Sequence, residues 1–148
     1  MEIKAQLEIA LKEAMKAGDD VPRRTIRMVL AAIRQLEIDR QVKLDEMGVL
    51  AIIQKEIKTR KEAVEEARGA NRLDIVTATE SEIMVLQAYL PKEMTPEELM
   101  DLVKSVISEA GATSPGDMGK VMKILLPRVA GRAPGDKVSA VVRQVLQK

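Results

Sequence analysis

Apolar residues recur at three- and four-residue intervals along nearly the whole chain, with no sustained alternation of period two. That spacing puts them on one side of successive helices and leaves no stretch suited to a half-buried strand. Ile3, Leu7, Ala10, Leu11 and Ala14 mark a first helix, which Gly18 stops. Ile26, Val29, Leu30, Ile33 and Leu36 form the stripe of a second, with Pro22 near its start. Beyond a polar link at residues 42–45, Leu50, Ile53, Ile57 and Val64 mark a third helix that Gly69 closes. Asn71 is placed to cap a fourth, with Asp74 three residues on as in a capping box. Leu73, Val76, Ile83, Leu86 and Leu90 give that helix its buried side.

Leu90-Pro91-Lys92-Glu93-Met94-Thr95-Pro96 is the best boundary, because each proline breaks helix and favours extended backbone before it. Thr95, Pro96 and Glu98 then read as N-cap, first residue and N3 of a new helix. Its apolar arc is Leu99, Leu102, Val103, Val106, Ile107 and Ala110, and Gly111 ends it. Ser114-Pro115-Gly116-Asp117 repeats the start signal for a sixth helix. A tight turn at Gly131-Arg132-Ala133-Pro134-Gly135 leads to a last helix carrying Val138, Val141, Val142, Val145 and Leu146 on one face. The expected fold is all-α: a bundle of about four helices over residues 1–90, then a three-helix domain over residues 95–148. Helices this short need one another to be stable.

Composition narrows the chemistry. The 148 residues include no Cys and no His, so disulfide scaffolds, thiol nucleophiles, the usual zinc sites and imidazole bases are excluded. A single Tyr is the only aromatic residue, too few for a base-stacking platform. No apolar run approaches a membrane span, and no secretory signal is visible at Met1-Glu2-Ile3-Lys4. A soluble, cytoplasmic protein without membrane association is expected, with no metal and no cofactor.

Charge is unevenly placed. Residues 1–90 hold 15 Lys/Arg against 16 Asp/Glu, and residues 91–148 hold 9 against 7. From Met118 onward there are seven bases (Lys120, Lys123, Arg128, Arg132, Lys137, Arg143 and Lys148) and one acid, Asp136. On the sixth helix Lys120, Lys123 and Arg128 share a broad side, with Ile124 expected exposed among them. Val121, Met122, Leu125, Leu126 and Val129 lie opposite. Clustered bases suit phosphate tracking, which gains counterion-release entropy. The helix N-terminus adds N–H groups, and Gly116 and Gly119 leave backbone open to close approach. A solvated basic face is the plainer alternative.

Other candidates for chemistry are weaker. Gly116-Asp117-Met118-Gly119-Lys120 lacks the spacing and the following Ser or Thr of a phosphate-binding loop. Residues 55–66 carry Glu56–Arg60, Lys58–Glu62 and Lys61–Glu65 at helical pairing distance, the mark of a solvated helix. Lys104, Ser105 and Ser108 invite a Ser–Lys dyad but sit toward the polar side. Arg23, Arg24 and Arg27 crowd a helix N-terminus, which suggests either a partner anion or salt bridges to nearby acids.

Several short segments together resemble a known family. They are Ile26-Arg27-Met28, Ile57-Lys58-Thr59-Arg60-Lys61-Glu62, Ala70-Asn71-Arg72-Leu73-Asp74, Tyr89-Leu90-Pro91 and Asp117-Met118-Gly119-Lys120-Val121-Met122. Their order and spacing resemble the YqeY proteins, and the later half resembles the tail domain of the GatB subunit of tRNA-dependent amidotransferase. The resemblance implies a helical bundle followed by a three-helix domain that helps hold tRNA, with amide transfer and ATP use lying elsewhere. It places RNA contacts at Gly119 and Lys120. Lys123, Arg128, Arg132 and Lys137 are added on charge. One departure stands out: the family often has Gly-Lys-Ala-Asp-Gly before the last helix, where this chain has Gly131-Arg132-Ala133-Pro134-Gly135 and then Asp136.

Three functions compete on these grounds. The first is a non-catalytic module for tRNA or another structured RNA, working with translation or amidotransferase components. The second is a carbon–nitrogen ligase, or an accessory to one, with glutamine as amido-nitrogen donor. No catalytic residues are assigned for it. The third is an interaction adaptor using Ile124, Met118 and Met122 as a groove.

Overall fold

The computed structural model describes residues 1–147 of the chain, so the expected base Lys148 lies outside the described residues. Seven α-helices are present among them, and no strand. They are α1 (Ile3–Ala17), α2 (Asp20–Arg40), α3 (Glu46–Gly69), α4 (Leu73–Gln87), α5 (Pro96–Ala110), α6 (Met118–Val129) and α7 (Gly135–Leu146). A 3-10 turn, Pro115–Asp117, precedes α6. The chain divides into two compact units, Met1–Leu90 and Pro91–Lys148. No helix of the described residues is long and apolar enough to cross a membrane.

In the first unit α1 to α4 enclose a core built on Leu7, Ile26, Val29, Ile33, Ile53, Ile57, Ile83 and Leu86. These are the residues that the helical spacing selects, so local pattern and burial agree. Tyr89 and Leu90 pack on the edge of that core. Gly18 ends α1 in the left-handed region at φ 68°, as its lack of a Cβ permits. Asn71 does not cap α4. It takes the left-handed conformation at φ 57°, and its N–H donates to Arg68. Asn tolerates that conformation better than most residues, so it serves to end α3. Arg72 takes the cap position without a side-chain bond, and its guanidinium pairs with Asp74 at 3.2 Å.

Several positions in this unit depart from the simple amphipathic picture: Thr25, Arg60 and Thr79 are polar yet buried, and Leu73, expected on the buried side of α4, is 61% exposed. Arg60 lies in the segment read as a solvated helix, yet it is only 7% exposed. Its Nη1 donates to the Glu56 carboxylate at 2.6 Å and to the Glu56 carbonyl at 3.1 Å, while Nε lies 3.6 Å from Glu82. Glu82 also faces Arg24 of α2 at 3.6 Å, so α2, α3 and α4 meet over one polar cluster. Arg23 and Arg24 pair with Asp20, as the salt-bridge alternative expects, whereas Arg27 donates to the sulfur of Met15 at 3.7 Å. Glu65, expected to meet Lys61, pairs with Arg68 at 2.7 Å. Thr25 is wholly buried, and its hydroxyl has no hydrogen-bond partner.

The second unit closes around Leu99, Val103, Val106, Val121, Leu125, Val129, Val138, Val142 and Leu146. Thr95 caps α5 by accepting the Glu98 N–H at 3.1 Å. Gly131 turns the chain after α6 at φ 77°. Pro127 sits in the last turn of α6, where its missing N–H leaves the Lys123 carbonyl without an intrahelical donor and helps end the helix. Packing against both α5 and α7 widens and rotates the buried arc of α6. Ile124, expected exposed, is partly buried against the core, whereas Leu126, expected inside, is 37% exposed. Met118 and Met122 are likewise partly buried against the core, so only part of each of these three side chains reaches the surface.

Candidate nucleic-acid interface

The start of α6 is built by local chemistry. Ser114 and Asp117 form a reciprocal capping box across the 3-10 turn. The Asp117 carboxylate accepts the Thr113 N–H at 2.9 Å and the Ser114 N–H at 3.3 Å. The Thr113 amide, then the Ser114 amide, hold its carboxyl below the ordinary aspartate value, and Lys120 adds to the effect. The amides so engaged precede α6, and an anion arriving at the helix start meets a cap residue, Asp117, that is itself negative and makes no side-chain cap bond to the helix.

What remains open is the glycine backbone and the lysines behind it. A Cβ at Gly119 would meet nothing within 4 Å, and one at Gly116 would meet only the Ser114 hydroxyl at 3.7 Å. Neither glycine is forced by a positive φ, so the fold does not require Gly119. Lys120 and Lys123 are exposed on α6, and no carboxylate pairs with either among the described residues.

The other expected contacts are committed inside the unit. Arg128 forms a two-pronged pair with Glu109 of α5 at 2.8 and 2.9 Å. That fork holds the Glu109 carboxyl below its ordinary value and raises Arg128. The Nε of Arg132 donates to the Lys92 carbonyl at 2.9 Å and its Nη2 to Glu98 at 3.1 Å. Its own carbonyl accepts the Met94 N–H at 2.9 Å. Arg132 thus clasps the segment leading into α5 and diverts Glu98 from the expected reciprocal cap. Lys137 lies 3.6 Å from Glu93. Glu98 and Glu109 are roughly 16 Å apart along α5 at helical rise. Arg128, Arg132 and Lys137 thus each face an acid at a separate place, whereas Lys120 and Lys123 make no ion-pair contact among the described residues. Sequence spacing could not reveal this, because each acid partner lies on α5 or in the segment before it, away from the base's own element.

Lys104, Ser105 and Ser108 are exposed on α5 and form no hydrogen-bonded dyad among the described residues. No group of carboxylates among those residues is arranged to hold a metal ion.

An all-helical chain with a four-helix unit and a capped three-helix unit is the class of protein so defined. The sequence profile of the Yqey-like protein family matches residues 4–146, and the chain belongs to that family. Among its relatives is "Altered inheritance of mitochondria protein 41, mitochondrial" of Lachancea thermotolerans, 44% identical over 87 residues, 58% of this chain and 46% of the relative. The protein of the same name from Vanderwaltozyma polyspora is 33% identical over 102 residues, 67% of this chain and 55% of the relative. That from Pyrenophora tritici-repentis is 31% identical over 147 residues, 95% of this chain and 79% of the relative. The chain spans about half the length of the first two.

These names overturn the expected cytoplasmic location, since the relatives are called mitochondrial. The physical reason is plain. Lack of cysteine and of membrane spans describes the solvent a chain meets, and several compartments share that solvent.

Proposed function

We propose that this protein binds tRNA or another structured RNA without catalysing a reaction on it, and that α6 is the contact surface. The observation that carries this reading is the pair of exposed lysines, Lys120 and Lys123, neither of which forms an ion-pair contact among the described residues, although Lys120 acts on Asp117 at longer range; they stand beside Gly119, a glycine for which the fold has no need. A phosphate backbone supplies the missing anions, and a bare glycine lets it come close. The resemblance of this half of the chain to an amidotransferase tail domain points the same way. On this reading Arg128, Arg132 and Lys137 chiefly hold α5 and its approach segment in place. Amide transfer, where the RNA is a substrate for it, belongs to a partner enzyme of the carbon–nitrogen ligase class.

Filter binding of the full chain to tRNA, titrated with salt, tests the proposal. Affinity falls steeply with salt, and Lys120→Ala and Lys123→Ala each lower the logarithmic slope by about one. Binding no tighter than that of a net-neutral helical protein at low salt defeats it. Glutamine hydrolysis by the highly purified chain would defeat its non-catalytic part.

A further inference from the structure

The first unit carries a shallow concave surface at the C-terminal end of α2. A shallow cleft of about 460 Å³ is lined by Lys4 of α1 and by Arg34, Glu37, Ile38, Val42 and Lys43. Gln41 turns the chain at its rim in the left-handed region, φ 52°. The only acid in the lining is spent within the fold. Glu37 accepts the Leu44 N–H at 2.9 Å and the Lys4 ammonium at 3.1 Å. The Leu44 bond first, then Lys4, hold its carboxyl below the ordinary glutamate value. Lys43 adds to the lowering of Glu37 without touching it, and neither Arg34 nor Lys43 forms an ion-pair contact with a carboxylate among the described residues. Between them stand two aliphatic side chains in water, Ile38 at 62% exposure and Val42 at 53%.

The composition of this cleft selects its occupant. Polynucleotide would neutralise Arg34 and Lys43 but would set phosphate and sugar against Ile38 and Val42, which gain nothing from it. A protein segment with carboxylates beside an aliphatic residue matches both halves. We propose that the cleft docks such an acidic, aliphatic-bearing segment of a partner protein. Its apolar side chain rests on Ile38 and Val42, and its carboxylates pair with Arg34 and Lys43. The bonds from Glu37 to Lys4 and Leu44 tie the α2–α3 connection to α1, so the surface is set before the partner arrives.

A random peptide library selected on the full chain, with an Arg34→Glu/Lys43→Glu variant as counter-selection, tests this. Paired Asp or Glu beside Leu, Ile or Phe is the expected enrichment. Anisotropy titration of an enriched peptide should weaken at least about tenfold in the double variant. Ile38→Ser should weaken it about threefold, and amide signals of residues 38–44 should shift on binding. All three substitutions are at exposed positions, so thermal melts by circular dichroism stay unchanged. Lys120→Ala/Lys123→Ala keeps peptide binding, which separates this surface from the RNA reading. No enrichment, enriched peptides without acids, or equal binding by the double variant overturns the proposal. So does binding to phosphatidylglycerol vesicles that the double variant loses while no peptide is enriched, which would make the surface a lipid contact.

Discussion

Arg60 in the first unit and Lys120 with Lys123 in the second make an instructive pair of regions. Arg60 lies in a helical stretch of mixed charge, whereas Lys120 and Lys123 lie on a helix with no acid of its own and only Asp117 just before it. Arg60 is folded inward, where Glu56, Glu82 and the sulfur of Met28, 3.6 Å away, surround its guanidinium. The two lysines are left exposed with no ion-pair contact among the described residues. The difference comes from the neighbours. Arg60 faces two other helices that supply Glu82 and Met28, whereas α6 spends its inner side on Val121 and Leu125 and turns its lysines outward. A cation buried among acids serves the fold. A cation left over after the fold has satisfied itself is available for something else.

Breaking the buried side of that comparison should have the largest effect. Arg60→Met leaves Glu56 and Glu82 facing each other in a half-dry site, and we expect a loss of about 3 kcal/mol, the low end for a buried pair because both acids keep some water. Urea unfolding followed by circular dichroism measures it. Thr25→Val works in the opposite direction. Removing a buried hydroxyl that has no partner should raise stability by ~1 kcal/mol in the same assay.

In the second unit, Arg132→Ala should cost ~1 kcal/mol through the lost bonds to Lys92 and Glu98, with little change in the salt slope of tRNA binding. Gly119→Ala should be stabilising by ~0.5 kcal/mol, since the site is open and helical, yet it should weaken tRNA binding. A Gly119→Ala protein that gains stability and keeps full affinity would blur the contrast between fold-serving and ligand-serving positions.

The smallest effect is the pH dependence of the second unit. Glu109 and Asp117 are held below their ordinary values, by the Arg128 fork and by the Thr113 and Ser114 amides respectively. Carboxyls lowered in the folded state stabilise it above the ordinary carboxylate range. That contribution fades as pH falls through the lowered values. Urea midpoints measured from neutral to strongly acid pH should therefore fall on acidification, and less steeply in Asp117→Asn.

The residue order determined the helices, their ends at Gly18 and Gly111, and the identities of nearly all core side chains, because helical spacing and capping are local. It also placed Lys120, Lys123 and Gly119 near one helix start. Only the tertiary structure decided that Arg60 is buried, that Asn71 ends α3, that Ile124 turns inward while Leu126 turns out, and that Arg128 and Arg132 are spent on Glu109 and Glu98. Each of those outcomes depends on what a second or third helix brings alongside. A partner tens of residues away cannot be read from spacing on one helix, and it alone determines whether a charge is consumed by the fold or left for a ligand.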